Sequence, residues 1–145
     1  MPRGNLLTSI FIVAILFIGI PGGAETLSWS YLGAGYWDES DYWYPAQAPT
    51  AGDEVYIDME SASVINDTDF AAGAVTVGGK YSSYWTIADS VFGTIDPGVP
   101  TDPAVILRRG GYITVEGTGV LTMKGSLYSS DELLTPEPSF MFWSE

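Results

Sequence analysis

From Glu25 onward, apolar and polar residues alternate with a period of two, and this pattern predicts β-strands. In Glu54 to Met59 (EVYIDM), Val55, Ile57 and Met59 fall on one face and Tyr56 and Asp58 on the other, as in a half-buried strand. A turn signal, Pro49-Thr50-Ala51-Gly52-Asp53, precedes it. Gly, Pro, Thr, Ser and β-branched residues recur too often in this part of the chain to leave a helical amphipathic window. The pattern also repeats: Gly73 to Gly79 (GAVTVGG), Gly111 to Gly117 (GYITVEG) and Gly119 to Gly125 (GVLTMKG) each read Gly, variable, aliphatic, Thr, Val or Met, variable, Gly. Val75 and Val77, Ile113 and Val115, and Leu121 and Met123 share one face, with Thr76, Thr114 and Thr122 on the other. Each copy predicts one short strand between glycine turns.

Spacing limits how these strands pair. The second and third copies start at Gly111 and Gly119, too close for parallel neighbours, which need a connection of a dozen residues or more. They are therefore either a hairpin through Gly117-Thr118-Gly119 or successive sides of one coil. The first copy starts far upstream, at Gly73, which leaves room for one or two turns of a solenoid in which each strand stacks on its counterpart. The expected fold is all-β: a short right-handed parallel β-helix (solenoid), with an antiparallel β-sandwich as the alternative. Ile95 to Pro103 (IDPGVPTDP), rich in Pro, must leave the sheet as a loop, and the next strand runs from Ala104 to Arg108. Residues 25–128 form the expected solenoid domain. Residues 129–145 lose the pattern and read as an irregular C-terminal segment, although Phe140-Met141-Phe142-Trp143 looks like the start of a further element.

The N-terminus changes the cellular picture. Arg3 followed by the apolar run Ile10 to Ile20 and the small residues Pro21-Gly22-Gly23-Ala24 reads as an export signal over residues 1–24, cut after Ala24. Even the longer apolar stretch Leu6 to Ile20 falls short of the roughly 20 residues needed to cross a bilayer, so no stable membrane span is expected after cleavage. The expected location is secreted or cell-surface.

Composition narrows the chemistry. Five Lys and Arg stand against 18 Asp and Glu, a net charge of −13, with no His and no Cys. Such a chain lacks the basic footprint of a nucleic-acid partner. It also lacks disulfides, thiol chemistry, imidazole general bases and soft-metal ligands. Signal removal leaves Glu25 to Glu145, long enough for one domain with a real core, and keeps every Trp and Tyr, too many aromatics for a disordered acidic tail.

The segment from Trp37 carries a resemblance. Trp37 and Trp43 lie in an acidic, aromatic opening, followed by Pro49-x-Ala51-Gly52-Asp53-x-Val55-x-Ile57 and Ala72-Gly73-x-Val75-x-Val77-Gly78. This resembles the N-terminal portion of exported bacterial right-handed parallel β-helix proteins of the pectin-lyase-like and autotransporter-like type. It is also similar to an extracellular module named for its eight glycines. The resemblance covers about Trp37 to Leu127; it implies a surface or secreted β-solenoid of an adhesive or polysaccharide-handling kind, and it carries over no catalytic residue.

The densest candidate for binding is the run from Tyr36 to Tyr44. Tyr36, Trp37, Tyr42, Trp43 and Tyr44 could form an aromatic platform for a carbohydrate, since ring faces stack on sugars and carboxylates accept their hydroxyls. The same rings could instead cap the first coil. Calcium is the metal that hard oxygen ligands would take, and Asp38, Glu39 and Asp41 are the candidate ligands. The contrasting reading of these acids is a solvated acidic surface. Asn66-Asp67-Thr68 fits a glycosylation sequon. Arg108 and Arg109 are candidates for the base or clamp of a uronate lyase, although alternation turns Arg108 outward toward a surface ion pair. Glu116 and Lys124 occupy one slot of neighbouring repeats and would pair if their strands were adjacent.

The function expected from the sequence is a secreted or cell-surface structural or adhesive β-solenoid without catalytic activity. The alternatives are a carbohydrate-binding module, with calcium assistance, and a fragment of a polysaccharide lyase or hydrolase. Expected partners are a glycan or cell-envelope component, and an uncovered end of the stack predicts self-association.

Overall fold

The computed structural model describes residues 23–129 and 139–142; the export signal expected over residues 1–24 lies almost entirely outside them. The described residues form fourteen short strands: β1 (Thr26–Trp29), β2 (Ala34–Tyr36), β3 (Trp43–Tyr44), β4 (Glu54–Ile57), β5 (Ala62–Asn66), β6 (Phe70–Ala72), β7 (Ala74–Val77), β8 (Ser83–Ile87), β9 (Phe92–Ile95), β10 (Pro103–Leu107), β11 (Gly111–Val115), β12 (Val120–Met123), β13 (Ser126–Ser129) and β14 (Ser139–Phe142). One 3-10 turn, Ser40–Tyr42, leads into β3.

The strands build three sheets in the orders β13-β10-β7-β4-β1-β3, β14-β11-β8-β5-β2 and β12-β9-β6. The protein is therefore all-β with parallel sheets. Each triplet β4–β5–β6, β7–β8–β9 and β10–β11–β12 gives one strand to every sheet, and the next triplet adds its strand alongside. We call each triplet a tier. Every pairing among the described residues is parallel except that of β3 with β1, which removes the antiparallel sandwich.

Register places like residues on like. Leu27, Val55, Val75, Val105 and Leu127 form one ladder along the first sheet, and the first four are essentially inaccessible. Val64, Trp85 and Ile113 form the matching ladder of the second sheet, and Ala72 and Ile95 that of the third. All of these side chains point inward because the pleat alternates faces, and each fully buried Val, Leu or Ile contributes about 1.5–3 kcal/mol relative to exposure.

The glycine-bracketed repeat is real at the level of strands but is not the structural period. Its copies fall on β7, β11 and β12, one in each sheet, so none stacks on another. The vertical partners Val55, Val75, Val105 and Leu127 are unevenly spaced along the chain, most widely between Val75 and Val105. The variation lies in the turns, the longest of which within the three tiers, residues 96–102, is the Pro-rich loop expected from the sequence. β11 and β12 do not form a hairpin: β11 pairs with β8 and β14, and β12 with β9. Glu116 and Lys124 are consequently not cross-strand neighbours, and Lys124 Nζ lies 3.0 Å from Asp96 Oδ2 instead. The sheets also continue beyond the third repeat copy, because β13 and β14 extend two of them. Ser139–Phe142 is thus a strand within the segment expected to be irregular.

Candidate functional site

The aromatic run at Tyr36 to Tyr44 divides between surface and interior. Trp37 and Trp43 are 3% and 2% exposed: Trp43 takes the inward phase of β3, and Trp37, in the turn just past β2, continues the inward phase of Gly35. Trp43 Nε1 donates to the Trp37 carbonyl at 2.8 Å. The Trp37 ring meets Trp43, Phe70 and Trp85 at centroid distances of 5.3, 5.2 and 5.8 Å, while Trp43 meets Trp29 at 5.0 Å. Edge-to-face and offset contacts of this kind add to the burial energy. These rings plug the interior at the β1–β3 end, so Trp37 and Trp43 have no free face to offer a sugar, and their place in the aromatic platform is withdrawn. The cap reading of these two residues fits their burial.

The plug fixes its neighbours closely. Gly93 lies beside Phe70, and a Cβ there would run into the Phe70 ring. Trp85 Nε1 donates to Asn66 Oδ1 at 2.6 Å in the interior. Asn66 is 1% exposed, so the folded chain does not present the sequon asparagine to a transferase.

Tyr36, Tyr42 and Tyr44 have different surroundings. Tyr36 and Tyr44 are exposed, while Tyr42 is half-buried, packed on Trp29 and Tyr31 at 5.4 and 4.5 Å. The Tyr42 hydroxyl is held above its ordinary value first by the charge of Glu39, then by burial. Asp38, Glu39 and Asp41 are exposed, and no three Asp or Glu converge as metal ligands among the described residues. The calcium site expected at these three positions is not assembled.

Elsewhere the aspartates act as struts between tiers. Asp58 Oδ1 accepts the N–H groups of Lys80 and Tyr81 at 2.9 and 3.0 Å. Asp69 accepts the Phe92 N–H at 2.8 Å, and Asp89 accepts the Thr118 N–H and hydroxyl at 2.7 and 2.8 Å. The Asp58 and Asp89 bonds tie a turn to the turn of an adjoining tier, and the Asp69 bond ties the β5–β6 turn to the start of β9, a role of Asp at turns that satisfies backbone donors. Buried Asp53 takes the Glu25 N–H together with the Thr50 N–H and hydroxyl of its own turn. The sequence could have flagged these residues from their position beside Gly and Ser turns, but not their partners in the next tier.

Concavities among the described residues include two on the outer surface. One, of about 320 Å³, lies on the first sheet against the 96–102 loop, with Glu54 and Asp102 as its two carboxylates and Tyr56, Thr76 and Ile106 on its floor. Arg108 and Arg109, considered for lyase roles, do not line it. The ion pair expected at Arg108 is also not formed: among the described residues the one salt bridge is Lys124–Asp96. The second concavity, of about 530 Å³, lies at the β7–β8 turn among Glu60, Ser63, Lys80, Tyr81 and Tyr84. It was not singled out from the sequence, although the alternation of Ser83 to Ile87 already turns Tyr84 outward.

No helix among the described residues is long and apolar enough to cross a membrane. Comparison with protein-family models, with curated proteins and with solved structures gives no match.

Proposed function

We propose that the chain is an exported right-handed parallel β-helix that serves as a non-catalytic structural or adhesive element at the cell surface, of the pectin-lyase-like or autotransporter-like type. The observation that carries this reading is the strand order, in which every third strand returns to the same sheet in parallel register. Parallel strands joined by crossovers in one sheet are right-handed in about 98% of cases, which supports the handedness. A stack of this kind presents rigid rows of side chains, such as Ser63–Tyr84–Tyr112 along the second sheet, at the inter-strand spacing. Rigid rows suit contact with an extended polymer, because little side-chain freedom is lost on binding.

The test is to express the full chain in a bacterial host, separate medium, envelope and cytoplasm, and sequence the mature N-terminus. The reading expects a chain starting at Glu25 outside the cytoplasm; an intact Met1 chain confined to the cytoplasm would overturn it. Incubation with polygalacturonate, alginate and xylan should yield no new reducing ends and no unsaturated uronate, and release of either product would remove the non-catalytic part.

A carbohydrate-binding module is the second reading, favoured by the exposed Tyr36 and Tyr84 on the second sheet.

A further inference from the structure

Four Lys and Arg follow Ala24 in the sequence, and three of them sit on two stacked turns. Lys80 lies in the β7–β8 turn, and Arg108 and Arg109 in the β10–β11 turn directly alongside. Backbone bonds join the two turns: Arg108 N–H donates to the Val77 carbonyl, Gly79 N–H to that of Arg109, and Ser83 N–H to that of Gly110, at 2.9, 3.0 and 2.8 Å. All three cations are exposed, and none forms a salt bridge with a described residue. Set against Asp58 and Glu60 of the β4–β5 turn, they give the described residues of this edge a net charge of +1 in a chain of −13.

Aromatic surface adjoins the cations. Tyr84 and Tyr112 are register partners on the outer face of the second sheet, with centroids 4.9 Å apart and planes at 11°. Tyr84 is 45% exposed. The Lys80 ammonium stands 4.7 Å from the Tyr81 ring centre, and its pKa is held above the ordinary lysine value first by Tyr81, so it is charged at neutral pH. Tyr81, Tyr84 and Lys80 share the 530 Å³ concavity with Ser61, Ser63 and Ser82.

We propose that the stacked β7–β8 and β10–β11 turns, with Tyr81, Tyr84 and Tyr112, form a binding shelf for an anionic glycan, a sugar chain bearing carboxylate or sulfate groups. The cations take the anionic groups, while the tyrosine rings and serine hydroxyls meet the sugar faces and hydroxyls. An otherwise acidic surface repels the same polymer elsewhere, so the shelf fixes where it docks. The site rests on the adhesive reading and replaces the Tyr36 to Tyr44 run as its location. It lies on the edge between the first and second sheets, apart from the groove lined by Glu54 and Asp102.

The experiment measures binding of the purified chain to polygalacturonate, dextran sulfate and neutral dextran by calorimetry at low and high salt, with chelator present. Binding to at least one of the two anionic polymers, weakened by salt, and none to dextran is expected. The variant Lys80→Gln/Arg108→Gln/Arg109→Gln should weaken that binding about tenfold or more, since charge pairing with three groups is lost. Tyr84→Ser should weaken it without changing the salt dependence. Lys124→Gln, which alters the remaining cation, should leave it unchanged, and circular dichroism reports whether each variant keeps its sheets. Failure of both anionic polymers to bind, equal binding of dextran, or equal loss with Lys124→Gln would overturn the shelf. These outcomes are independent of export and processing at Glu25, so failure of the shelf and failure of the exported-scaffold reading are separately visible.

Discussion

The two ends of the strand stack use the same alternation to different effect. At the β1–β3 end three tryptophans join Leu27 on the inward side, and Trp29, Trp37 and Trp43 are all at most 3% exposed, packed on one another beside the antiparallel β3. At the β12–β13 end the residues in equivalent phase are Met123 and Leu127, which are 37% and 43% exposed. Inward phase in a tiered sheet therefore does not by itself bury a side chain. Burial is completed by the neighbouring tier or by a plug, and at the β1–β3 end large rings and a reversed strand supply one.

The plug is where this contrast is put under the greatest load. Trp85→Ala removes a fully buried ring in contact with Trp37 and Phe70 and strands Asn66, and it should cost about 3–5 kcal/mol in urea unfolding. A loss below about 1 kcal/mol would mean that the aromatic end is not cooperative with the rest. Gly93→Ala, by contrast, adds a methyl against the Phe70 ring and should cost about 1–3 kcal/mol through overpacking. Pairing it with Phe70→Leu should restore part of that loss; no restoration would place the strain elsewhere. At the other end Leu127→Ala should cost less than about 1 kcal/mol, because much of that side chain is already in water. A cost equal to that of Trp85→Ala would show both ends to be equally closed.

The smallest effect concerns the struts. Asp89 and Asp96 are held below the ordinary aspartate value of 3.8, Asp89 first by the Thr118 N–H and Asp96 first by the Gly98 N–H. With a folded value below the unfolded one, the unfolded chain binds more protons in this range, so stability rises with pH. The contribution is complete above the unfolded value and is lost as pH falls through the lowered folded values. Unfolding free energy should therefore decline as pH falls through and below the ordinary aspartate value of 3.8, and Asp89→Asn should flatten the decline. An identical slope in the variant would take Asp89 out of the account.

Strand phase was legible from residue order because the pleat makes alternation local: Val55 and Ile57, Val75 and Val77, and Ile113 are inward as their sequence predicts. The Pro-rich loop at 96–102 was legible for the same reason, since Pro cannot serve a central ladder. Vertical pairing was not. Turns of unequal length make the tier spacing irregular, so the repeat of Gly-flanked strands marked three sides rather than three tiers. The candidate site misled because tryptophans clustered with acids look alike whether they plug a core or face a ligand; the phase of Trp37 and Trp43 decided it. The cation cluster was illegible because Lys80 and Arg109 are far apart in the sequence and meet only through tier stacking.

Everything above depends on the parallel register between tiers, and the absence of Cys makes that register open to direct measurement. Thr86 and Thr114 are register partners on β8 and β11, at an inter-strand spacing of about 4.8 Å that a disulfide can bridge. Thr114 and Thr122 would be partners only in a hairpin through Gly117-Thr118-Gly119. Parallel stacking predicts that Thr86→Cys/Thr114→Cys oxidises to an intramolecular disulfide in the folded monomer while Thr114→Cys/Thr122→Cys does not. The reverse result would replace the tiers with a hairpin.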